Sequence, residues 1–234
     1  MKGKKKNKYK FPPGREKGRE ILTGIVPRLR EMTRDEKAPS VTSVARETGS
    51  PFKVLVSTVI SARTKDEVTG QASRRLFALA ATPEEMAALP AARIAGAIYP
   101  AGFYNNKGES IKMLSEKLVG DFDSRVPDTI DQLLTLPGVG RKTANLVLTQ
   151  GFGKDAICVD THVHRIINRL GVVESANPTE SEYALREILP RNHWIEINDL
   201  LVSFGKKVCR PVSPICSGCL IFEECARVGV EISR

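Results

Sequence analysis

Histidine is scarce in this 234-residue chain, occurring three times, so a histidine-built metal site has almost no ligands to draw on. His162 and His164 read as local hydrogen bonders. No apolar run reaches the ~18 residues of a membrane span. The N-terminal lysines lead into Phe11-Pro12-Pro13-Gly14 rather than an apolar signal core, which argues against secretion. Sustained period-2 alternation is missing, as are Asn-Gly and Asp-Gly hairpin signals, so a β architecture is excluded. There is no internal repeat. Of the five cysteines, four are bunched after position 208, which does not make a disulfide scaffold. These absences leave a soluble, intracellular, all-α protein, placed in the cytoplasm or nucleoid, or in a nucleus.

What the chain has in excess is positive charge. A formal charge of +9 and a pI near 9.4 favour a polyanionic partner. Part of that excess lies in residues 1–18, a basic tail expected to be solvated and disordered. Beyond it, apolar spacing predicts about ten helices, among them Glu20 to Met32, Phe52 to Ala62 behind Ser50-Pro51, and Lys107 to Val119. Ser40 is a candidate cap. Thr64-Lys65-Asp66-Glu67, Thr82-Pro83-Glu84-Glu85 and Thr179-Glu180-Ser181-Glu182 read as capping boxes.

The stretch that organises the chain runs from Leu133 to Asp160. At its centre lie Leu136, Pro137, Gly138, Val139 and Gly140, followed by Arg141, Lys142 and Thr143. One helix is expected to run in from Thr129 to Leu136, stopped by Pro137, and another to run out from Arg141 to Thr149. The glycines permit a tight turn with close backbone approach, and a helix start beyond it suits a nucleic-acid phosphate. An ordinary helix–turn–helix corner is the plainer account. Lys142 falls in the first turn of the second helix, where the macrodipole disfavours the ammonium form and favours an amine nucleophile. A phosphate-pairing lysine is the alternative. Asp160 precedes another apolar-periodic segment, as an N-cap does.

Cys209, Cys216, Cys219 and Cys225 are spaced C-x6-C-x2-C-x5-C. Four thiolates so close together act as ligands, and both zinc and an iron–sulfur cluster accept four cysteinates. The single knuckle with two uneven arms favours iron–sulfur. Lys206, Lys207 and Arg210 border the segment and suggest a loop that presents charge to phosphates. Cys158 lies outside the pattern and reads as a small buried hydrophobe.

Taken together, Leu136 to Asn145, Val159-Asp160-Thr161-His162 and the four cysteines resemble the endonuclease III family of DNA glycosylases with a helix-hairpin-helix motif. Ser50-Pro51-Phe52 and Tyr104-Asn105 also match, and the resemblance spans roughly residues 20–228. It implies two helical lobes flanking a DNA-binding cleft: a barrel over 44–154, and a cluster domain joining 19–43 to 155–234. It implies a [4Fe–4S] cluster on the four cysteines. It also implies a damaged nucleotide flipped out of duplex DNA. Lys142 would then attack C1′, Asp160 would generate the amine and support the cationic sugar, and β-elimination would cut 3′ to an oxidised pyrimidine such as thymine glycol. The partner is damaged double-stranded DNA, with no membrane, no obligate protein partner and a monomeric state expected.

Several positions depart from the bacterial pattern. Arg63 stands where that type has a glutamine wedge, and either fills the gap left by the flipped base or contacts a phosphate. Phe103 aligns with a second wedge, usually leucine, with core packing as its alternative. Leu134 replaces a glutamate beside the site. Asp66 matches a cleft-lining aspartate but also reads as an exposed helix-start carboxylate. His162 is carried over as a DNA contact. The competing functions are a monofunctional or mismatch-directed glycosylase, a non-catalytic helix-hairpin-helix DNA-binding protein, and a zinc-bound structural protein.

Overall fold

The computed structural model describes residues 9–34 and 37–234. Twelve α-helices occur among them. In order they are α1 (Arg15–Thr33), α2 (Ser40–Thr48), α3 (Pro51–Ser61), α4 (Asp66–Leu79), α5 (Pro83–Ala88), α6 (Ala91–Ile98), α7 (Tyr104–Asp121), α8 (Ile130–Leu133), α9 (Arg141–Leu146), α10 (Thr161–Leu170), α11 (Pro178–Ile188) and α12 (Ile197–Lys207). No β-strand forms among the described residues. One isolated antiparallel bridge joins Lys10 to Glu174. The all-α expectation holds.

The chain divides into two compact units. One is Ala38–Ala156; the other joins the described residues up to Lys37 to Ile157–Arg234. Residues 38–43 and 155–156, expected in the discontinuous lobe, belong to the inner unit. The basic stretch 1–18 also differs in part from expectation. Residues 1–8 lie outside the described set, but from Tyr9 onward the stretch is tied down. The Tyr9 hydroxyl donates to Glu187, Lys10 pairs its backbone with Glu174, and α1 begins at Arg15.

In the inner unit α3 is apolar nearly all round. Phe52 and every residue from Val54 to Ile60 are buried, as befits a central helix. Helix α7 packs against α3, α5 and α6 and buries Lys107, Ile111, Leu114 and Leu118 along one stripe. Gly108 allows the α6 contact, since a Cβ there would fall 2.8 Å from the Ala91 carbonyl oxygen. In the other unit, Leu22, Ile25, Val26 and Leu29 of α1 enter a core shared with α10, α11 and α12.

The helix starts show which local signals survived tertiary context. Thr82 makes the predicted reciprocal box with Glu85. The box at Thr179 shifts two residues upstream: Asn177 accepts from the Glu180 N–H, and the Glu180 carboxylate accepts from Ala176. The box at Thr64 does not form, because that hydroxyl is used elsewhere and Lys65 becomes the cap position. Ser40 is likewise not a cap but the first residue of α2.

Candidate functional site

Within the inner unit the hairpin is anchored from below. Leu133, Leu136 and Val139 are buried and fix the turn to the core. The incoming helix ends earlier than expected. Helix α8 stops at Leu133, and Thr135 and Leu136 donate to Gln132 and Leu133 in tighter three-residue turns before Pro137 is reached. Gly138 takes φ 74°, and a Cβ there would lie 2.9 Å from the Ser110 Cβ on α7, so both conformation and space demand glycine. Gly140 supplies no side-chain cap to α9 and faces open space. Arg141 and Thr143 are half-buried, and Lys142 is exposed on the first turn of α9. The helix then widens into a π turn over Val147–Gly151, rather than continuing as α-helix to Thr149.

A second feature of the same unit brings Arg63 and Phe103 together. Both are non-glycine residues at positive φ, 53° and 56°, and both are exposed. The Arg63 guanidinium lies 5.4 Å from the centre of the Phe103 ring, in cation–π range. Phe103 is 60% exposed, which removes core packing as its explanation. Beneath the pair lies Lys107, 7% exposed, whose Nζ donates to the Ile60 and Ala62 carbonyls at 2.6 and 2.5 Å and to Thr64 Oγ1 at 2.8 Å. Burial lowers the Lys107 pKa to about 8. Asp66 plays a different part: its carboxylate accepts from the Ser40 N–H and hydroxyl, all at 3.1 Å, and so holds the start of α2.

In the discontinuous unit Asp160 is the N-cap of α10. One carboxylate oxygen accepts from the His162 and Val163 N–H groups at 2.8 and 2.9 Å. The cap reading of the sequence is therefore correct, and it fixes the carboxylate at the head of the helix. His162 is half-buried, with Nδ1 3.1 Å from the Arg165 guanidinium. Gly205 lets α12 approach it, since a Cβ there would fall 2.5 Å from His162 Nδ1. The other end of α10 holds the cysteine segment. Arg165 donates to the Cys209 carbonyl at 2.8 Å, and Arg169 donates to the Arg210 and Pro211 carbonyls at 2.6 Å each.

Residues 56–191 match the family described as HhH-GPD superfamily base excision DNA repair protein. Endonuclease III of Thermotoga maritima is 48% identical over 175 residues, which is 75% of this chain and 82% of that protein. The chloroplastic endonuclease III homolog 2 of Arabidopsis thaliana is 39% identical over 92% of this chain and 58% of its own length. Among solved structures, a trapped endonuclease III–DNA covalent intermediate in an estranged-adenine complex aligns with TM-score 0.78 at 31% identity. That alignment covers 89% of this chain and 96% of that one. The chain belongs to the endonuclease III family. It is a base-excision-repair DNA glycosylase of the helix-hairpin-helix type.

In this endonuclease III homologue, Cys209, Cys216, Cys219 and Cys225 all line one hollow of ≈ 30 Å³. Its other walls are largely apolar, including Ile166, Leu170, Phe204 and Ile221. Among the described residues no three His, Cys, Asp or Glu side chains meet closely enough to hold one metal ion. The thiols ring a space rather than a point. Arg169 contributes a donor 3.6 Å from Cys209 Sγ, and burial pushes the Cys219 and Cys225 thiols up. Lys206 and Lys207 are exposed at the end of α12, where cations complement the helix dipole, and Arg210 is exposed beside them.

Sequence reasoning missed Lys107, Thr64, Arg165 and Arg169. For Lys107 a signal existed: it falls four residues before Ile111 on the apolar face of α7, where a charge needs buried partners. For the two arginines no signal existed, because their partners are backbone carbonyls about forty residues away in sequence.

Proposed function

We propose that this glycosylase is bifunctional, removing oxidised pyrimidines of the thymine glycol type from duplex DNA and cutting the strand through a lysine Schiff base. The reading is carried by the exposed Lys142 amine on the first turn of α9, directly after a turn that only glycine can make. The chain's similarity to a protein trapped as a covalent intermediate with DNA adds support.

In this mechanism the target nucleotide is taken out of the stack, because C1′ is inaccessible inside the duplex. The neutral Lys142 amine attacks C1′ and the base departs with the glycosidic electron pair, taking up a proton. Asp160 accepts the amine proton and opposes the positive charge that develops on the sugar. Ring opening gives a protonated imine between Lys142 Nζ and C1′. Loss of the 2′ proton then expels the 3′ phosphate, and water hydrolyses the imine to return the free amine. Gly138 and Gly140 let the backbone approach phosphates, and Arg141 and Thr143 contribute side-chain contacts.

Cys209, Cys216, Cys219 and Cys225 hold a [4Fe–4S] cluster in this reading; a ring of thiols around a hollow suits a cluster better than a lone zinc ion. When bound, that group cross-links a segment too short to bury a core of its own. Arg169 and Arg165 dock the segment onto α10, and Lys206, Lys207 and Arg210 hold phosphates.

Borohydride trapping on a duplex carrying thymine glycol or an abasic site tests the reading. The wild type should give a covalent protein–DNA band and Lys142→Gln none. Base release without a band in the wild type would establish a monofunctional glycosylase instead. Neither release nor trapping on a broad lesion panel would leave a DNA-binding module.

A further inference from the structure

Lys107 is the one buried lysine among the described residues, and nothing in the proposed chemistry uses it. A protonated lysine has three N–H donors. Here all three are spent, on the carbonyls of Ile60 and Ala62 and on Thr64 Oγ1. Those acceptors are the last turn of α3 and the loop on either side of Arg63. The same Thr64 oxygen also accepts from the Gly102 N–H at 3.1 Å, which brings in the neighbouring loop immediately before Phe103. The two loops touch closely, since a Cβ on Gly102 would lie 2.3 Å from the Arg63 carbonyl oxygen.

Left to themselves, Arg63 and Phe103 would not hold positive φ, because a left-handed backbone costs an L-residue roughly 1–2 kcal/mol. Something must over-determine both positions. The Lys107 ammonium binds the chain on both sides of Arg63, and Thr64 passes its hold from one loop to the other. What is held is a guanidinium stacked on an exposed phenyl ring, two flat groups of the kind that stack on nucleobases.

We propose that Lys107 and Thr64 are positioning residues that lock the Arg63 and Phe103 loops as one unit, so that both flat groups meet the base stack of a duplex together. The proposal rests on the DNA-glycosylase reading of the site. It does not rest on the lysine Schiff base.

The test uses full-length protein and a duplex with 2-aminopurine opposite a tetrahydrofuran abasic analogue, whose fluorescence rises when its base is unstacked. Wild type and Thr64→Ser should give the full rise at saturating protein. Lys107→Met and Thr64→Val should still bind, by anisotropy, but give less than about half the rise, because a displacement near 1 Å is enough to spoil such placement. Thr64→Val keeps the test decisive should Lys107→Met fail to fold. A full rise in Thr64→Val, or no rise in the wild type, overturns the proposal. Borohydride trapping of the wild type on an abasic duplex is read alongside. Its failure with the fluorescence pattern intact would remove the Schiff base and leave the positioning role standing.

Discussion

Gly138 at the tip of the hairpin rests on Ser110, with room for no more than a hydrogen between the Gly138 backbone and the Ser110 side chain. Ser110 lies on α7, the same helix that has Phe103 at its N-cap and Lys107 one turn further on. One helix therefore sets the hairpin that precedes Lys142 and also the two loops that carry Arg63 and Phe103. Its buried stripe, from Lys107 through Leu118, explains why α7 can act as a rigid ruler: Gly108 locks it to α6, and Ile111 and Leu114 are fully enclosed.

Replacing Gly138 with alanine should therefore be costly twice over. The residue must hold φ 74°, and its new methyl must displace Ser110. We expect a loss of about 2 kcal/mol or more, read as a lower thermal midpoint, together with weaker duplex binding. Gly140→Ala is the internal comparison, because Gly140 has φ −91° and open space around it; it should cost well under about 1 kcal/mol. Equal losses in the two variants would mean that the Ser110 contact does not set the turn.

Asp66 should behave as a structural carboxylate. It accepts the Ser40 N–H and hydroxyl, while the Ser40 hydroxyl reaches the Asp66 carbonyl at 2.7 Å, so α2 is tied to the start of α4. Asp66→Ala should lower unfolding free energy by about 1–2 kcal/mol, as loss of a helix-capping acceptor does. An unchanged denaturation midpoint would return Asp66 to the ligand-facing role that the sequence suggested.

These two cases show what the sequence could and could not convey. The helical class, the hairpin, Asp160 as a cap and the four cysteines were all legible, because each depends on local spacing. Thr64 illustrates the limit. Its spacing to Glu67 fits a capping box, yet its oxygen is claimed by Lys107 and Gly102, some forty residues away, and the box is lost. The tail misled for the same reason: Tyr9 and Lys10 sit in a basic run, but their partners Glu187 and Glu174 are far along the chain.

Arg169 should govern how firmly the cysteine segment is kept. Its guanidinium bonds the carbonyls of Arg210 and Pro211 and approaches Cys209 Sγ, and its own carbonyl accepts from the Val228 N–H at 2.9 Å. Arg169→Gln keeps the backbone contact and removes the fork. Iron should be lost to a chelator faster by about tenfold, since outer-shell partners typically alter metal retention by 10–100-fold. Far-ultraviolet dichroism should stay near wild type at first. Identical rates of iron loss would show that the fork is not part of the hold.

The exposed cations at the end of α12 should act on affinity uniformly rather than on lesion choice. Each phosphate contact removed lowers the slope of log affinity against log salt by about 1. Lys206→Ser and Lys207→Ser should each do so, and Arg210→Ser likewise. Unchanged slopes in all three would place the phosphate contacts elsewhere.

Lys107 should also leave a signature in the pH dependence of stability. Burial holds its pKa near 8 in the folded chain, against an ordinary value of 10.5. Between those values the unfolded chain binds the proton and the folded chain does not, so unfolding free energy gains from rising pH in this window. Below about 8 the lysine is charged in both states and the burial penalty is fully present; above 10.5 it is neutral in both. Lys107→Met has nothing to titrate at that position. The stability of wild type relative to Lys107→Met should therefore rise from pH 8 to pH 10.5, by an amount on the order of 3 kcal/mol at most. The contributions of the other lysines and tyrosines cancel in the difference. Loop placement should run the opposite way, because a neutral amine keeps only two donors for three acceptors. Denaturant titrations of both proteins across that range decide the matter, and a flat difference would mean that Lys107 keeps its proton throughout.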